Sequence, residues 1–489
     1  MNMINRSSII KNSNTGARRK LRRNELIQLG GPILGENQGG WSGENVAISG
    51  DGSTIVIGAK HSDVGLGSGL DPGQVKVYFY ANEEWTQLGQ DINGEAYFDL
   101  SGNSVAISKE GNVIAIGAIF NDADEDHLNS GHVRLYQYDD DTDTWVQMGD
   151  DINGEAGGDQ FGFSVALSDD GKVLAGGSIK NMDGGINAGH VRVFRFVDGS
   201  WIQLGQNIEG SPGDECGYSV SLSRDGMRLA VGAPSNNGSG EESGQVRIFD
   251  YDSTSFTWDV QASLNGNNAG DFFGSYVSIS NNGNDLIAAA IIQNKLYQGP
   301  GYVQAFHLSG KSWIAGGKID GGVSDNSSIF SVASSGDCNT IAMSSSSFEA
   351  RTDISKVYHL NDRKWDETGE IILFSEGLRP VGDFGKADYG LSVALSQDGS
   401  TIALGEPFID KGNGRVTVYL LLSKSMSGWT IFLFLLLSLI LAGMIFCGVR
   451  KGRKKFTALR TNDGDQQPFP NSGKFFPVRF NSEREIEIV

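Results

Sequence analysis

The chain has 489 residues, of which 39% are hydrophobic, and it contains 68 glycines but only 10 prolines. A glycine content this high without a collagen period is typical of many short strands joined by tight turns, so the composition favours an all-β repeat protein. The formal net charge is -20, although residues 1–24 and 450–489 are both basic. The acidic stretch between them would repel a phosphate backbone, which excludes nucleic acid as a partner of the folded body.

The first segment, residues 1–25, contains a basic cluster with the sequence RRKLRR at 18–23. It lacks the apolar core of roughly 7 to 15 residues that an ordinary signal peptide contains. Either the start of the coding sequence is missing or mis-assigned, or a hydrophobic helix further along the chain directs membrane insertion. We expect residues 1–25 to be disordered and to lie outside the folded domain.

A phrase that begins with tryptophan returns with a period of about 57 residues, and such a period indicates a repeat architecture. It reads WTQLGQDINGE from Trp85, WVQMGDDINGE from Trp145 and WIQLGQNIEGS from Trp201. Leucine replaces the tryptophan in the first copy, and the later copies are weaker. The starting positions of all the copies are Leu26, Trp85, Trp145, Trp201, Trp258, Trp313 and Trp365.

Each copy continues with three further strand-like segments, which in the third copy are FGFSVALS at 161–168, KVLAGGS at 172–178 and GHVRVFRF at 189–196. Their alternating pattern and β-branched or aromatic residues are typical of strands, and Ser-x-Asp-Gly turns such as SDDG at 168–171 indicate hairpins. Four antiparallel strands in seven copies predict an all-β fold, a seven-bladed β-propeller over residues 26–422. We expect residues 26–33 to form the outermost strand of the last blade and so to close the ring.

The segments FGFSVALS and VGAP, the latter at 231–234, resemble the FG-GAP repeat that builds the propeller of integrin α chains. The resemblance covers roughly residues 26–422 and is weak in the sixth copy, where SIFSVASS at 328–335 lacks the glycine. It implies a β-propeller and, in many members of the family, a calcium loop between the first two strands of a blade. The turns of this chain are too short to surround a calcium ion with six to eight oxygens.

Residues 429–449 read WTIFLFLLLSLILAGMIFCGV, a stretch of 21 residues without a charge. As a helix it would extend roughly 31 Å, which matches the hydrocarbon core of a membrane and predicts one transmembrane helix. Five basic residues follow within 450–455, so the positive-inside rule places residues 450–489 in the cytoplasm as a tail that we expect to be disordered. The propeller would then be extracellular or luminal.

Four aspartates occur three residues before the glycine of a first strand, so the repeat places them at equivalent points around one mouth of the propeller. We interpret them as candidates for the ligand-binding face, against the alternative that each one stabilises its turn by accepting hydrogen bonds from the backbone. They are Asp99, Asp159, Asp214 and Asp271.

A second acidic feature is the loop NDADEDHLNSG, in which Asp122, Asp124 and Asp126 alternate as in half of a calcium loop. These three aspartates are candidate metal ligands, and calcium is the only cofactor that the sequence suggests. The loop lacks the glycine and the distal glutamate of a complete calcium motif, so a solvated acidic loop is the alternative.

Other residues with reactive or binding side chains receive a structural interpretation. His132 and His190 occupy the place at which Gln74 and Gln245 stand in other copies, so we expect a blade surface position without a catalytic or ligand role. The serine of the repeated Gly-x-Ser-Val segment is also expected to be structural, because it recurs at one strand start per copy. The tryptophans are expected to pack between neighbouring outer strands rather than to bind sugars.

Taken together, these observations predict a single-pass membrane protein that presents a propeller to an unknown protein or glycan ligand outside the cytoplasm. An enzyme is not expected, since no blade-specific cluster of acids with His, Arg or Tyr is visible in the repeat. A membrane-anchored carbohydrate-active enzyme and a purely structural surface component are the alternatives.

Overall fold

The computed structural model describes residues 26–63, 70–291, 301–321, 327–347, 352–361, 364–374 and 392–422. The chain divides into two units, residues 1–424 and 425–489, and the second lies outside the described residues. The described ranges contain no helix that is both long and apolar enough to cross a membrane. The predicted helix at 429–449, the tail at 450–489 and the segment at 1–25 all fall outside those ranges, so they stay predictions.

Thirty-two strands form in the described residues, together with one 3-10 turn at Asp410–Gly412. The first two are β1 (Leu26–Gln28) and β2 (Ile33–Leu34). Blade 1 contains β3 (Asn45–Ile48), β4 (Thr54–Ala59), β5 (Gln74–Ala81), β6 (Glu84–Gln87) and β7 (Ile92–Asn93). Blade 2 contains β8 (Ser101–Ile107), β9 (Val113–Ala118), β10 (His132–Asp139), β11 (Thr144–Gln147) and β12 (Ile152–Asn153). Blade 3 contains β13 (Phe161–Leu167), β14 (Val173–Ser178), β15 (His190–Val197), β16 (Ser200–Gln203) and β17 (Ile208–Glu209).

Blade 4 contains β18 (Ser219–Leu222), β19 (Arg228–Ala233), β20 (Gln245–Asp252) and β21 (Thr257–Asn265). Blade 5 contains β22 (Phe273–Ile279), β23 (Asp285–Ala290), β24 (Tyr302–Ser309) and β25 (Ser312–Asp320). Blade 6 contains β26 (Ser327–Ser334), β27 (Thr340–Ser347), β28 (Thr352–Asn361) and β29 (Lys364–Phe374). Blade 7 contains β30 (Ser392–Leu395), β31 (Thr401–Glu406) and β32 (Arg415–Leu421).

Seven separate antiparallel sheets result, which confirms the predicted seven-bladed all-β propeller. In blades 1 to 6 the first four strands pair in chain order, as in a meander, and the short fifth strands of blades 1 to 3 pair with the third strand. The N-terminal strand β1 supplies the missing fourth strand of blade 7, with Leu26 opposite Leu421 and Ile27 opposite Leu420. The predicted closure through the N-terminus is therefore confirmed, and β1 covers what would otherwise be the open edge of β32.

The Ser-x-Asp-Gly turns meet around the axis of the propeller in a closed ring of backbone hydrogen bonds. The second residue of each turn donates its N–H to the carbonyl of its counterpart in the next blade, at 2.7–3.1 Å. The last bond runs from Gln397 back to Gly50 and measures 3.1 Å. The residues of the ring, in order, are Gly50, Lys109, Asp169, Arg224, Asn281, Gly336 and Gln397. We call the side of the propeller that carries these turns the turn face.

Among the described residues, apolar side chains form seven buried clusters, and each cluster fills the space between two successive blades. Val56 and Val75 of blade 1, for example, pack with Ile114 and Ile116 of blade 2, and all four are at most 1% exposed. Another cluster joins Val416 of blade 7 to blade 1. Burial of this kind contributes roughly 25 cal/mol per Å² of apolar surface, so every blade depends on both neighbours for its core.

Polar groups of the repeat also join neighbouring blades. The Trp85 indole donates to the Leu29 carbonyl of blade 7 at 2.9 Å, and three later tryptophans repeat this contact. The serine of the Gly-x-Ser-Val segment donates to the next blade, and Ser392 closes the ring by donating to the Gly43 carbonyl at 2.7 Å. The structural interpretation of these tryptophans and serines is confirmed.

Candidate functional site

The loop face, opposite the turn face, carries the loops between the second and third strands of each blade and the loops between successive blades. Backbone hydrogen bonds join the two kinds of loop, as in Gly158 N–H to Leu128 O at 2.8 Å and Gly213 N–H to Ile186 O at 2.9 Å. Both kinds of loop therefore open toward the same mouth of the propeller. This pairing holds the loops in place on a rigid ring.

The four ligand-face candidates lie under these loops, and they are Asp99, Asp159, Asp214 and Asp271, at 1%, 2%, 7% and 8% exposure. Each carboxylate accepts backbone hydrogen bonds from the loop that precedes it. Burial raises the pKa of Asp99 and of Asp159, while bonds from the backbone and from asparagine side chains act in the opposite direction. The contacts are those of the turn-stabilising alternative, and a ligand role for these aspartates stays a prediction.

The three aspartates proposed as metal ligands lie in an exposed loop and bond to that loop itself. Asp124 accepts from the backbone of Asp126 and contacts His127 Nδ1 at 2.7 Å, and Asp122 accepts from Asn129 at 2.6 Å. In the described part of the chain, the groups of side chains with metal-ligand spacing do not include any of them. Calcium binding by this loop stays a prediction.

The structure instead brings charged side chains together with a histidine at the start of the third strand in blades 2 and 3. The blade 2 niche consists of Glu95, His132, Arg134 and Asp151. His132 Nδ1 lies 3.6 Å from Asp151 Oδ2, and Arg134 Nη1 lies 3.2 Å from Glu95 Oε1. One ligand atom each of Glu95, His132 and Asp151 lies within 4.8 Å of the other two.

The blade 3 niche repeats this arrangement with more carboxylates, and it consists of Glu155, Asp183, His190, Arg192 and Glu209. His190 Nδ1 lies 3.7 Å from Glu155 Oε2 and 3.8 Å from Glu209 Oε1. Asp183 belongs to the loop between β14 and β15, whereas Glu155 follows the outer strands of blade 2. The niche therefore spans the boundary between two blades.

The position of these histidines differs from the sequence prediction. His132 is 1% exposed and His190 is 0% exposed, so neither one lies on a blade surface. Burial, with a smaller effect of Arg134 or Arg192, lowers the pKa of each imidazole to about 4, so both rings are neutral at pH 7. The prediction failed because the loops of the preceding blade cover this position, and covering loops are invisible to a copy-by-copy comparison.

The acidic members of the niches were not recognised from the sequence. Glu95 and Glu155 are the glutamates of the repeated Ile-Asn-Gly-Glu phrase, and a histidine begins the third strand only in the copies that follow them. The occurrence of this glutamate and this histidine together in two copies was the sequence signal that could have indicated the niches. The equivalent glutamate before blade 1, Glu36, instead forms a 2.7 Å ion pair with Lys76.

No family model matches the sequence, and no curated protein matches it. Solved structures with a similar fold include the hydrazine synthase of Kuenenia stuttgartiensis, at 10% identity and a TM-score of 0.49, covering 81% of this chain and 98% of that one. A periplasmic gluconolactonase of Pseudomonas aeruginosa gives 12% identity and a TM-score of 0.45, with 69% and 89% coverage. A protein of Bacteroides uniformis with a provisional assignment as 6-phosphogluconolactonase gives 15% and 0.45, with 76% and 95% coverage.

These similarities concern the fold, and the likeness to FG-GAP propellers stays a prediction. The prediction that the chain is not an enzyme is contradicted, because the ground on which it rested fails in the structure. It required that no blade carry its own cluster of acids with histidine and arginine, and blades 2 and 3 each carry one.

Proposed function

We propose that the protein binds a ligand, a protein or a glycan, on the loop face of its propeller. The observation that carries this proposal is a group of large apolar side chains exposed on the loops of blades 1 to 3. Its members and exposed fractions are Tyr97 55%, Phe98 54%, Leu128 54%, Met182 61% and Ile186 75%. Single exposed apolar residues are common, but several in neighbouring loops are typical of a binding surface.

Two further features support binding at this face. The loops differ in length and sequence between copies while the turn face hardly changes, and variable loops on a rigid scaffold are where binding is usually found. Carboxylates of the niches and of the loop at 120–131 add negative charge around the apolar residues. A partner with an apolar contact surface and basic groups at its rim suits this combination.

We also propose that a transmembrane helix at 429–449 anchors the propeller on the extracellular or luminal side. The support is the 21-residue uncharged stretch and the basic residues that follow it. Protease added to the cytoplasmic side of sealed vesicles should remove residues 450–489 and leave the propeller intact. Digestion of the propeller from that side would contradict this topology.

The binding proposal is tested with the tag-free full-length chain in detergent, probed on glycan and protein arrays. Met182→Ser with Ile186→Ser changes two exposed residues of the loop face, and binding should weaken at least about tenfold. The matched control changes Phe256 and Val197 to serine, which are 69% and 39% exposed and lie in the hairpins of the turn face. Equal losses in the two double variants would contradict binding at the loop face.

A second candidate function is that of a carbohydrate-active enzyme, and the observation that favours it is the neutral histidine beside carboxylates in each niche. The neutral imidazole can accept a proton, and its pKa of about 4 suits a general base that works at acidic pH. The test is hydrolysis of chromogenic glycosides and of sugar lactones by the full-length chain, compared with the His132→Gln and His190→Gln variants. Turnover that both variants retain in full would contradict catalysis by these niches.

A further inference from the structure

The blade 3 niche contains buried polar atoms that nothing in the described structure satisfies. His190 is 0% exposed, and neither of its ring nitrogens has a hydrogen-bond partner among the described residues. Glu209 Oε2 is also buried, and it too has no hydrogen-bond partner among the described residues. Leaving a buried polar group unsatisfied costs about 1–3 kcal/mol and more for a charged one, so two such groups in one niche indicate a missing ligand.

In other copies of the repeat, the polar side chain at the position of His190 forms hydrogen bonds. In blade 1, Gln74 stands at the place of His190 and donates to Asp91 Oδ2 at 3.1 Å and to Asn93 Oδ1 at 3.0 Å. In blade 4, Gln245 donates to Asn265 Oδ1 at 2.8 Å. The amide at this position is thus satisfied by its own blade. The imidazole of blade 3 faces carboxylates at 3.7 and 3.8 Å, beyond hydrogen-bond distance.

The geometry of the niche is that of a cation site. Single ligand atoms of Glu155, Asp183 and His190 lie within 4.8 Å of one another. Such atoms can approach a shared ion at about 2.0–2.2 Å after small side-chain movements. Three carboxylates, counting Glu209, face the positive charge of Arg192, so the niche retains a net negative charge.

The arginine does not occupy the place of an ion. The Arg192 guanidinium lies over the Phe161 ring, 4.4 Å from its centroid, and donates to the backbone carbonyl of Asn153. Its Nη1 atom is 3.7 Å from Glu155 Oε1, too far for a hydrogen bond. In the blade 2 niche the corresponding distance from Arg134 to Glu95 is 3.2 Å, and only two carboxylates are present. Blade 3 therefore offers more uncompensated negative charge.

We propose that Glu155, Asp183 and His190 bind a divalent first-row transition-metal ion, zinc or manganese, with Glu209 beside it. One imidazole nitrogen among carboxylate oxygens favours these ions over calcium, which takes oxygen ligands. Since Glu155 comes from blade 2 and His190 from blade 3, the ion would join two blades. This proposal does not rest on the ligand proposed for the loop face, although Asp183 lies next to Met182 of that face.

The test uses the tag-free full-length chain, stripped with a chelator and titrated with zinc or manganese by calorimetry, with metal analysis after dialysis. We expect one bound ion per chain and a rise in melting temperature when the ion is restored. His190→Gln should abolish this binding and the temperature shift. Because glutamine already occupies the same place in blades 1 and 4, this variant is expected to fold.

Two further variants make the test decisive. Asp183→Asn removes the charge of a loop ligand without deleting its side chain, and it should weaken binding at least about tenfold. His132→Gln is the matched change in blade 2 and should leave the blade 3 ion bound. The proposal is overturned if the wild-type chain binds neither metal, or if His190→Gln binds it as the wild type does. Loss of binding in His132→Gln but not in His190→Gln would equally overturn it.

Discussion

The Trp145 indole N–H donates a 2.8 Å hydrogen bond to the backbone carbonyl of Leu88 in the preceding blade. Trp145 is 3% exposed and Leu88 is half-buried, so loss of the indole N–H would leave this carbonyl without that donor. We expect Trp145→Phe, which keeps an aromatic ring, to lower the free energy of unfolding by about 1–3 kcal/mol. Chemical denaturation of the purified chain measures this change.

Trp365 provides the matched control, because it begins the same phrase in blade 6 but its indole N–H has no partner among the described residues. Trp365→Phe should therefore cost clearly less than Trp145→Phe. Equal losses of stability would show that ring volume, and not the bond between blades, determines the effect.

The two buried histidines should make stability depend on pH. Their native pKa of about 4 lies below the unfolded value of about 6.5, so on acidification the unfolded chain takes up protons first. The free energy of unfolding should thus fall between about pH 6.5 and 4, by up to about 1.4 kcal/mol per pH unit for each histidine. Denaturation at several pH values checks this, and the double variant with His132→Gln and His190→Gln should lose most of that slope. An unchanged slope would contradict burial of the neutral rings.

Closure of the ring predicts a specific cross-link. Ile27 and Leu420 are directly opposite each other in the pairing of β1 with β32, at a separation suited to a disulfide. Ile27→Cys with Leu420→Cys should form a disulfide under mild oxidation and raise the melting temperature. Leu29→Cys with Leu420→Cys, shifted by two residues, should cross-link poorly. Equal cross-linking of the two pairs would indicate that the first strand slides or is not held in this register.

The Asp159 carboxylate should stabilise the loop that joins blades 2 and 3. It is 2% exposed and accepts hydrogen bonds from the Ala156 backbone at 3.0 Å and from the Asn181 side chain at 3.1 Å. Asp159→Ala should lower the free energy of unfolding by about 1–3 kcal/mol, whereas the same change at the exposed Asp140 should stay within about 0.5 kcal/mol. If Asp159→Ala leaves stability unchanged but abolishes ligand binding, the turn-stabilising role is wrong.

The repeat alone was enough to predict the architecture of this chain. Periodic strands and Ser-x-Asp-Gly turns are local patterns. Their number, with a phrase that begins with tryptophan in six copies and with Leu26 in the first, predicts seven blades. Even the role of residues 26–33 followed from counting, because the last copy lacks a fourth strand and pairing with residues 26–33 covers the edge of its third strand.

Tertiary structure alone decided which polar residues meet. His190 shares its repeat position with Gln245, and nothing local to either residue shows that a loop of the preceding blade covers the histidine and brings Glu155 to it. The same holds for Asp159, whose burial depends on the loops around it. Contacts between blades join residues that are tens of positions apart, and burial then determines whether a side chain is charged, satisfied or free to bind an ion.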